Sequence, residues 1–275
     1  LDLPIPGSQG DLYLSGIYSR KATSLPYSEL QFLSPDRSGI PFVELVPFPE
    51  PFRFTLRADG GLIHLGEGLN HFERTLDLQR GALSQSYEFA LPRQGVLRLK
   101  SRRWASLQDP HLLCQELELS TDRGTIALEL DFGLIPPEFH LRHPHLTAAS
   151  AQEDGIERVD YRTGTPGFSV CFAARWWVGT HEAESPRLKV ELSANAPLLI
   201  RKQISVHSSR ESEDPFAESV RHASAGTPAR FEESFDRHAE EWVRFWECAD
   251  LRFEGRPTAW RNFRRNADPL EYRIR

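Results

Sequence analysis

Between residue 11 and about residue 206 the apolar side chains recur at every second position, and that period admits few folds. In "FRFTLR" Phe52, Phe54 and Leu56 share one face, while Arg53, Thr55 and Arg57 share the other. "TIALELDF" alternates Ile126, Leu128, Leu130 and Phe132 against Ala127, Glu129 and Asp131. "RLKVELS" repeats the device with Leu188, Val190 and Leu192. Successive strand residues point to opposite faces, so these are half-buried strands, apolar inward and charged outward. Turn residues separate them. Asp59, Gly60 and Gly61 mark a hairpin between "FRFTLR" and "LIHL", and Gly81 and the 122–124 turn mark two more. On the order of a dozen short strands with no helical period between them predict a mainly β chain, a large antiparallel β-sandwich. The one long, weakly patterned stretch is 134–154, "LIPPEFHLRHPHLTAASAQED", which reads as a loop.

Near residue 214 the period changes to that of a helix. "DPFAESVRHASAG" offers Asp214 as N-cap, Pro215 at the first helical position and Gly226 as a stop. "TPARFEESFDRHAEEWVRFWECAD" repeats the pattern with Thr227 and Pro228. In this second helix Phe231, Phe235, His238, Trp242, Phe245, Trp246 and Ala249 recur at steps of three and four, opposite Glu232, Glu233, Arg237, Glu240, Glu241 and Arg244. Such a stripe must be covered by something. The domain reading is therefore a sandwich over 1–210, a short helical linker over 211–250, and over 251–275 the start of a further domain, missing or truncated here.

Composition removes several function classes. A net charge of −6 disfavours a nucleic-acid partner, and "WRNFRRN" near the end is too small a basic patch to reverse that. No apolar run is long enough to span a bilayer, and the N-terminus lacks the layout of a signal peptide. Cys114, Cys171 and Cys248 lie far apart, in an odd count and without metal-ligand spacing. A reducing cytoplasm is the simplest compartment for them. The chain has no methionine, even at position 1, which implies that it begins inside a longer protein or has been processed.

Several motifs, in this order, resemble the N-terminal domain of glycoside hydrolase family 65. They are "YLSGIYSR" at 13–20, "RTLDLQRGALSQ" at 74–85 and "KSRRWASLQDPHL" at 100–112. The aromatic helix running into "ADLRFEG" is similar to the family's linker. The resemblance extends to about Asn266. It implies a sandwich of the galactose-mutarotase type, then a helical linker, then an (α/α)6 barrel. In the family's phosphorylases a glutamate in that barrel is the general acid, and inorganic phosphate bound there attacks the anomeric carbon with inversion. The family's glycine-rich opening strands have no match here, and the tail "ADPLEYRIR" does not match the barrel's first helix. On this reading the catalytic and phosphate-binding residues lie outside the chain, and the chain needs no cofactor of its own. The implied partners are an α-linked glucose disaccharide acting through the parent enzyme, the barrel, and a second copy in a homodimer.

Few residues within the chain invite a chemical role. Trp176 and Trp177 in "CFAARWWVG" are the carbohydrate-binding candidates. Adjacent strand residues face opposite ways, so at most one joins the core. The other is exposed, as a stacking platform for a sugar, or lies under a neighbouring domain. His140, His143 and His145 share one loop, but their spacing matches no standard zinc pattern. Lys100, Arg102 and Arg103 read as one solvated or interdomain face. Two functions follow. One is a non-catalytic accessory domain of an inverting α-glucoside phosphorylase or hydrolase, shaping the active-site rim and exposing Phe235, Trp242 and Trp246 unless the helix folds back. The other is a stand-alone carbohydrate-binding or mutarotase-like module, which buries them all.

Overall fold

The computed structural model describes residues 11–21, 42–66, 68–91, 95–134, 146–194 and 196–249. Fifteen strands and two helices lie among them. A two-stranded ribbon pairs β1 (Asp11–Lys21) with β2 (Phe42–Pro49). A four-stranded sheet has the order β14 (Arg187–Ser193), β9 (Thr125–Asp131), β3 (Thr55–Ala58), β4 (Gly61–Ile63). The large sheet has nine strands, all antiparallel. Its path is β10 (Leu146–Glu153), β11 (Ile156–Thr163), β12 (Ser169–Val178), β15 (Leu198–Ser208), β8 (Leu112–Thr121), β7 (Gly95–Ala105), β6 (Ala82–Leu91) and β5 (Leu69–Asp77). The short β13 (His181–Glu182) pairs with β12.

The alternation seen in the sequence becomes the core between the sheets. Leu56, Ile126, Leu128 and Leu130 from the small sheet meet Leu97, Leu99, Leu117, Phe172, Trp176 and Ile204 from the large one, all within one buried cluster. Aromatic contacts fill the core: Phe48 lies 5.6 Å from Tyr161, edge-on, and 5.7 Å from Phe172, and Phe54 lies 5.5 Å from Phe132. Two hairpins turn where Asp59 and Gly60, and Asp154 and Gly155, all take positive φ, the geometry that matches the strand twist.

The structure corrects two expectations. The stretch 134–154 is not a loop throughout, because β10 occupies its second half and pairs with all eight residues of β11. β10 is small and polar, "LTAASAQE", and almost wholly exposed at the sheet edge, so it carries no apolar alternation to read. The "KSRRW" charges do not share one face either. Strand alternation puts Arg102 outside, paired with Glu116, and turns Arg103 inward to Glu50. His140, His143 and His145, and the residues assigned to a third domain, lie outside the described residues.

Two helices follow β15. α1 (Pro215–Ser224) starts at Asp214, whose carboxylate accepts from Ala217 N at 3.0 Å. α2 (Pro228–Ala249) starts at Thr227, whose hydroxyl accepts from Arg230 N at 3.2 Å. Both starts use the capping chemistry expected of their sequences.

Leu128 is fully enclosed, whereas Val190 is only half-buried against the same cluster. Leu128→Asp should therefore cost about 3–5 kcal/mol and Val190→Asp roughly 1–2 kcal/mol. Denaturant unfolding of the two variants checks that order. Equal losses would mean that β14 is buried as deeply as β9.

Candidate functional site

The outer face of the large sheet is where the chain departs from a plain sandwich. Strand alternation places Ala82, Trp104, Leu112, Cys114 and Trp177 there, on the side away from the core. Five apolar groups in one patch cannot face water on a stable sheet, and α2 lies across them. Phe231 meets Trp104 at 5.2 Å and Trp177 at 6.3 Å, and Phe235 meets Trp104 at 5.0 Å, all edge-on. The Arg102 guanidinium sits 4.1 Å over the Phe235 ring, and that of Arg80 sits 4.7 Å from it. Arg201 ties the layers, donating to Glu116 on β8 at 3.0 Å and to Glu232 on α2.

The Asp77–Gly81 turn carries the other end of the helix. Gly81 takes φ +61, and a Cβ there would lie 1.9 Å from Trp242 Nε1, so only glycine admits the tryptophan. His238 Nε2–H donates to Gly81 O at 3.1 Å, and Trp246 Nε1–H donates to Leu78 O.

The helix is thus divided. Phe231, Phe235, His238 and Ala239 are buried, so the helix folds back on the sandwich and Phe235 does not join an exposed patch. Trp242 and Trp246 are half-buried, and Val243 and Phe245 stay 48% and 49% exposed. Phe72 and Leu76 of the edge strand, 41% and 60% exposed, point to the other, core-facing side of the sheet, so it is Leu78 in the neighbouring turn, at 45%, that extends the exposed end of α2. This apolar end of the molecule is the candidate functional site, a docking surface.

Both sugar-stacking candidates are covered. Trp176 is 0% exposed in the inter-sheet core and Trp177 is 2% exposed beneath Phe231. They do face opposite ways, but the outer one lies under this chain's own helix, so neither presents an open ring.

A second polar constellation lies inside the sandwich. The Lys202 ammonium donates to Pro51 O and Phe132 O, each at 2.7 Å. Burial lowers its pKa to about 8, against the pull of Glu157 and Asp131. Burial also raises Glu157, which accepts from Leu134 N at 3.0 Å. No sequence signal marked Lys202, because one lysine in an apolar strand looks like an edge position. Its ties are to segments 151 and 70 residues away. These groups act as internal fasteners. Among the described residues no group of three or more His, Cys, Asp or Glu could hold a metal, and no helix is long and apolar enough to cross a membrane.

Comparison with known proteins agrees with this architecture. A family model described as the N-terminal domain of glycosyl hydrolase family 65 matches residues 6–245. A Mycobacterium tuberculosis protein described as an uncharacterized glycosyl hydrolase is 27% identical over 233 residues, 74% of this chain and 17% of that protein. The 1,2-alpha-glucosylglycerol phosphorylase of Bacillus selenitireducens is 22% identical over 226 residues, 78% of this chain and 29% of that protein. A solved structure described as a kojibiose phosphorylase from the human microbiome superposes with a TM-score of 0.62 at 15% identity, covering 85% of this chain and 32% of the other. The chain spans less than a third of each of these relatives.

The lysine makes a prediction with a definite sign. Its pKa is about 8 in the folded chain and 10.5 ordinarily, so the unfolded chain holds the extra proton between those values. Stability contributed by this residue therefore rises with pH across that window, by up to about 3 kcal/mol. The thermal midpoint of the wild type minus that of Lys202→Met should increase from pH 7.5 to 9.5. A constant difference would show that Lys202 stays fully charged in the fold.

Proposed function

The chain belongs to glycosyl hydrolase family 65, and from that membership we propose that it is the non-catalytic sandwich and linker of an inverting α-glucoside phosphorylase or hydrolase. Its task is to carry and orient the catalytic barrel and to shape the rim of the active site. The parent enzyme acts on an α-linked glucose disaccharide, with inorganic phosphate as co-substrate if it is a phosphorylase. A relative named for kojibiose and one named for glucosylglycerol support an α-glucoside as substrate.

The observation that carries the proposal is the division of α2. A helix needed only by the sandwich would bury its whole apolar stripe. Here the first half does so, while Val243, Phe245 and the half-covered Trp242 and Trp246 remain for a partner, beside Leu78. Large aromatics represent roughly 150–250 Å² of burial each, enough to anchor a neighbouring domain. A cytoplasmic location fits three free cysteines, two of them buried.

The test is enzymatic and physical together. Mixed with phosphate and kojibiose, maltose, nigerose or trehalose, the chain should release no glucose 1-phosphate. It should bind a hydrophobic dye, and Trp242→Gln with Trp246→Gln should lower that binding severalfold. Turnover that survives removal of host enzymes would place the chemistry in this chain. A chain that binds no dye at all would instead favour a self-sufficient carbohydrate-binding module.

A further inference from the structure

Four histidines hold the two helices to the sandwich, and all four meet one short connection. Residues 106–111 join β7 to β8 and touch both helices. Leu107 N–H donates to His238 Nδ1 of α2 at 3.0 Å. Asp109 Oδ2 lies 2.8 Å from His222 Nε2 of α1. His111 stacks face to face on His207 of β15, centroids 4.1 Å apart and rings within 6° of parallel. His207 in turn lies edge-on to His222 at 5.6 Å.

Two of these rings are in defined neutral tautomers. His238 Nδ1 accepts a backbone N–H, so its proton must be on Nε2, where it donates to Gly81 O at 3.1 Å. A second proton on Nδ1 would face the Leu107 N–H, donor against donor. Ser219 Oγ donates its hydrogen to Cys171 O at 3.0 Å, so it can only accept from His207 Nδ1, 3.2 Å away. Protonating His207 at Nε2 would put a charge against the stacked His111 and the His222 ring.

We propose that these contacts form a histidine latch that holds α1 and α2 firmly docked at neutral pH and weakens that docking, ahead of any loosening of the sandwich, on mild acidification. The surroundings support that response on every side. Facing His207 are His111 from the β7–β8 connection, Glu211 from the turn after β15, and Glu218 and His222 from α1, while Asp109 of the connection faces His111 and His222. Burial, then His111 and His222, lower its pKa to about 4, and the two glutamates only partly oppose this. His238 is lowered chiefly by burial. The backbone carbonyls of Gly81 and Arg80 only partly oppose this, and the guanidinium groups of Arg80 and Arg102 lie over the adjoining Phe235 ring. Asp109 is lowered chiefly by its hydrogen bond to His222, the ring that lies edge-on to His207.

A group whose pKa is depressed on docking favours the released state as pH falls. The docked state is therefore fully favoured above the ordinary histidine value of 6.5 and loses ground from there towards 4. For His207 alone this is roughly a 30-fold weaker docking equilibrium at pH 5 than at pH 7.5.

Hydrogen exchange of the whole chain tests the latch. Protection factors of amides in α1 and α2 should fall about 30-fold or more between pH 7.5 and 5. Those in β7, β8 and β12 should hold. His207→Asn with His238→Asn should remove most of the pH response. The idea is overturned if the helices keep their protection at pH 5, if the strands lose theirs in parallel, or if the double variant responds like the wild type. Should that variant fail to fold, the comparison of helices with strands in the wild type decides alone.

Discussion

Everything outside the inter-sheet core depends on one constraint: the large sheet is apolar on both faces. Trp176 and Trp177 are adjacent on one strand, and both are buried. The inner ring is satisfied by the second sheet. The outer one, with Trp104, Leu112 and Cys114, needs a third layer, and among the described residues Phe231 and Phe235 of α2 supply it. The helix is thus a structural part of the domain. Its charged contacts obey the same geometry. Arg102 and Arg201 neutralise Glu116 from two strands, and their guanidinium groups lie over Phe235 and Phe231. The aromatic layer and the ion pairs therefore stand or fall together.

The same helix gives the chain its direction. Its first half is buried on the sandwich and its second half is only partly covered. The boundary between them falls near His238, where the ring bridges Leu107 and Gly81. Beyond it, Trp242 rests on a glycine turn and Trp246 holds Leu78's carbonyl, so the exposed aromatic end is fixed in position. A docking surface presented on a rigid support loses less entropy on binding than a floating one.

Local periodicity made most of the fold legible. "TIALELDF" and "RLKVELS" pair with each other residue by residue, as their alternation requires, and Asp214 and Thr227 cap the helices they precede. What the sequence hid was long-range or patternless. β10 carries one core residue, Leu146, and otherwise alanines and polar residues at an edge, so no apolar period marks it. Arg102 and Arg103 look alike as letters, and only the strand's alternation sends one to Phe235 and the other to Glu50. His111, His207, His222 and His238 are scattered over 128 positions, and nothing local shows that β15 and two helices gather them at one connection. Of the docking surface, the helical stripe was readable. Its division into a covered half and an open half was not, because that depends on where the outer tryptophans of the sheet lie.

That division is the centre of the account, and side-chain oxidative footprinting measures it directly. In the dilute chain Trp104, Trp177 and Phe235 should resist modification, while Phe245 reacts readily and Trp242 and Trp246 react at intermediate rates. Protection of Phe245 equal to that of Phe235 would show that the sandwich satisfies the whole helix. Rapid modification of Trp177 would show that the helix does not cover the sheet, and either result would contradict the structure's division of labour.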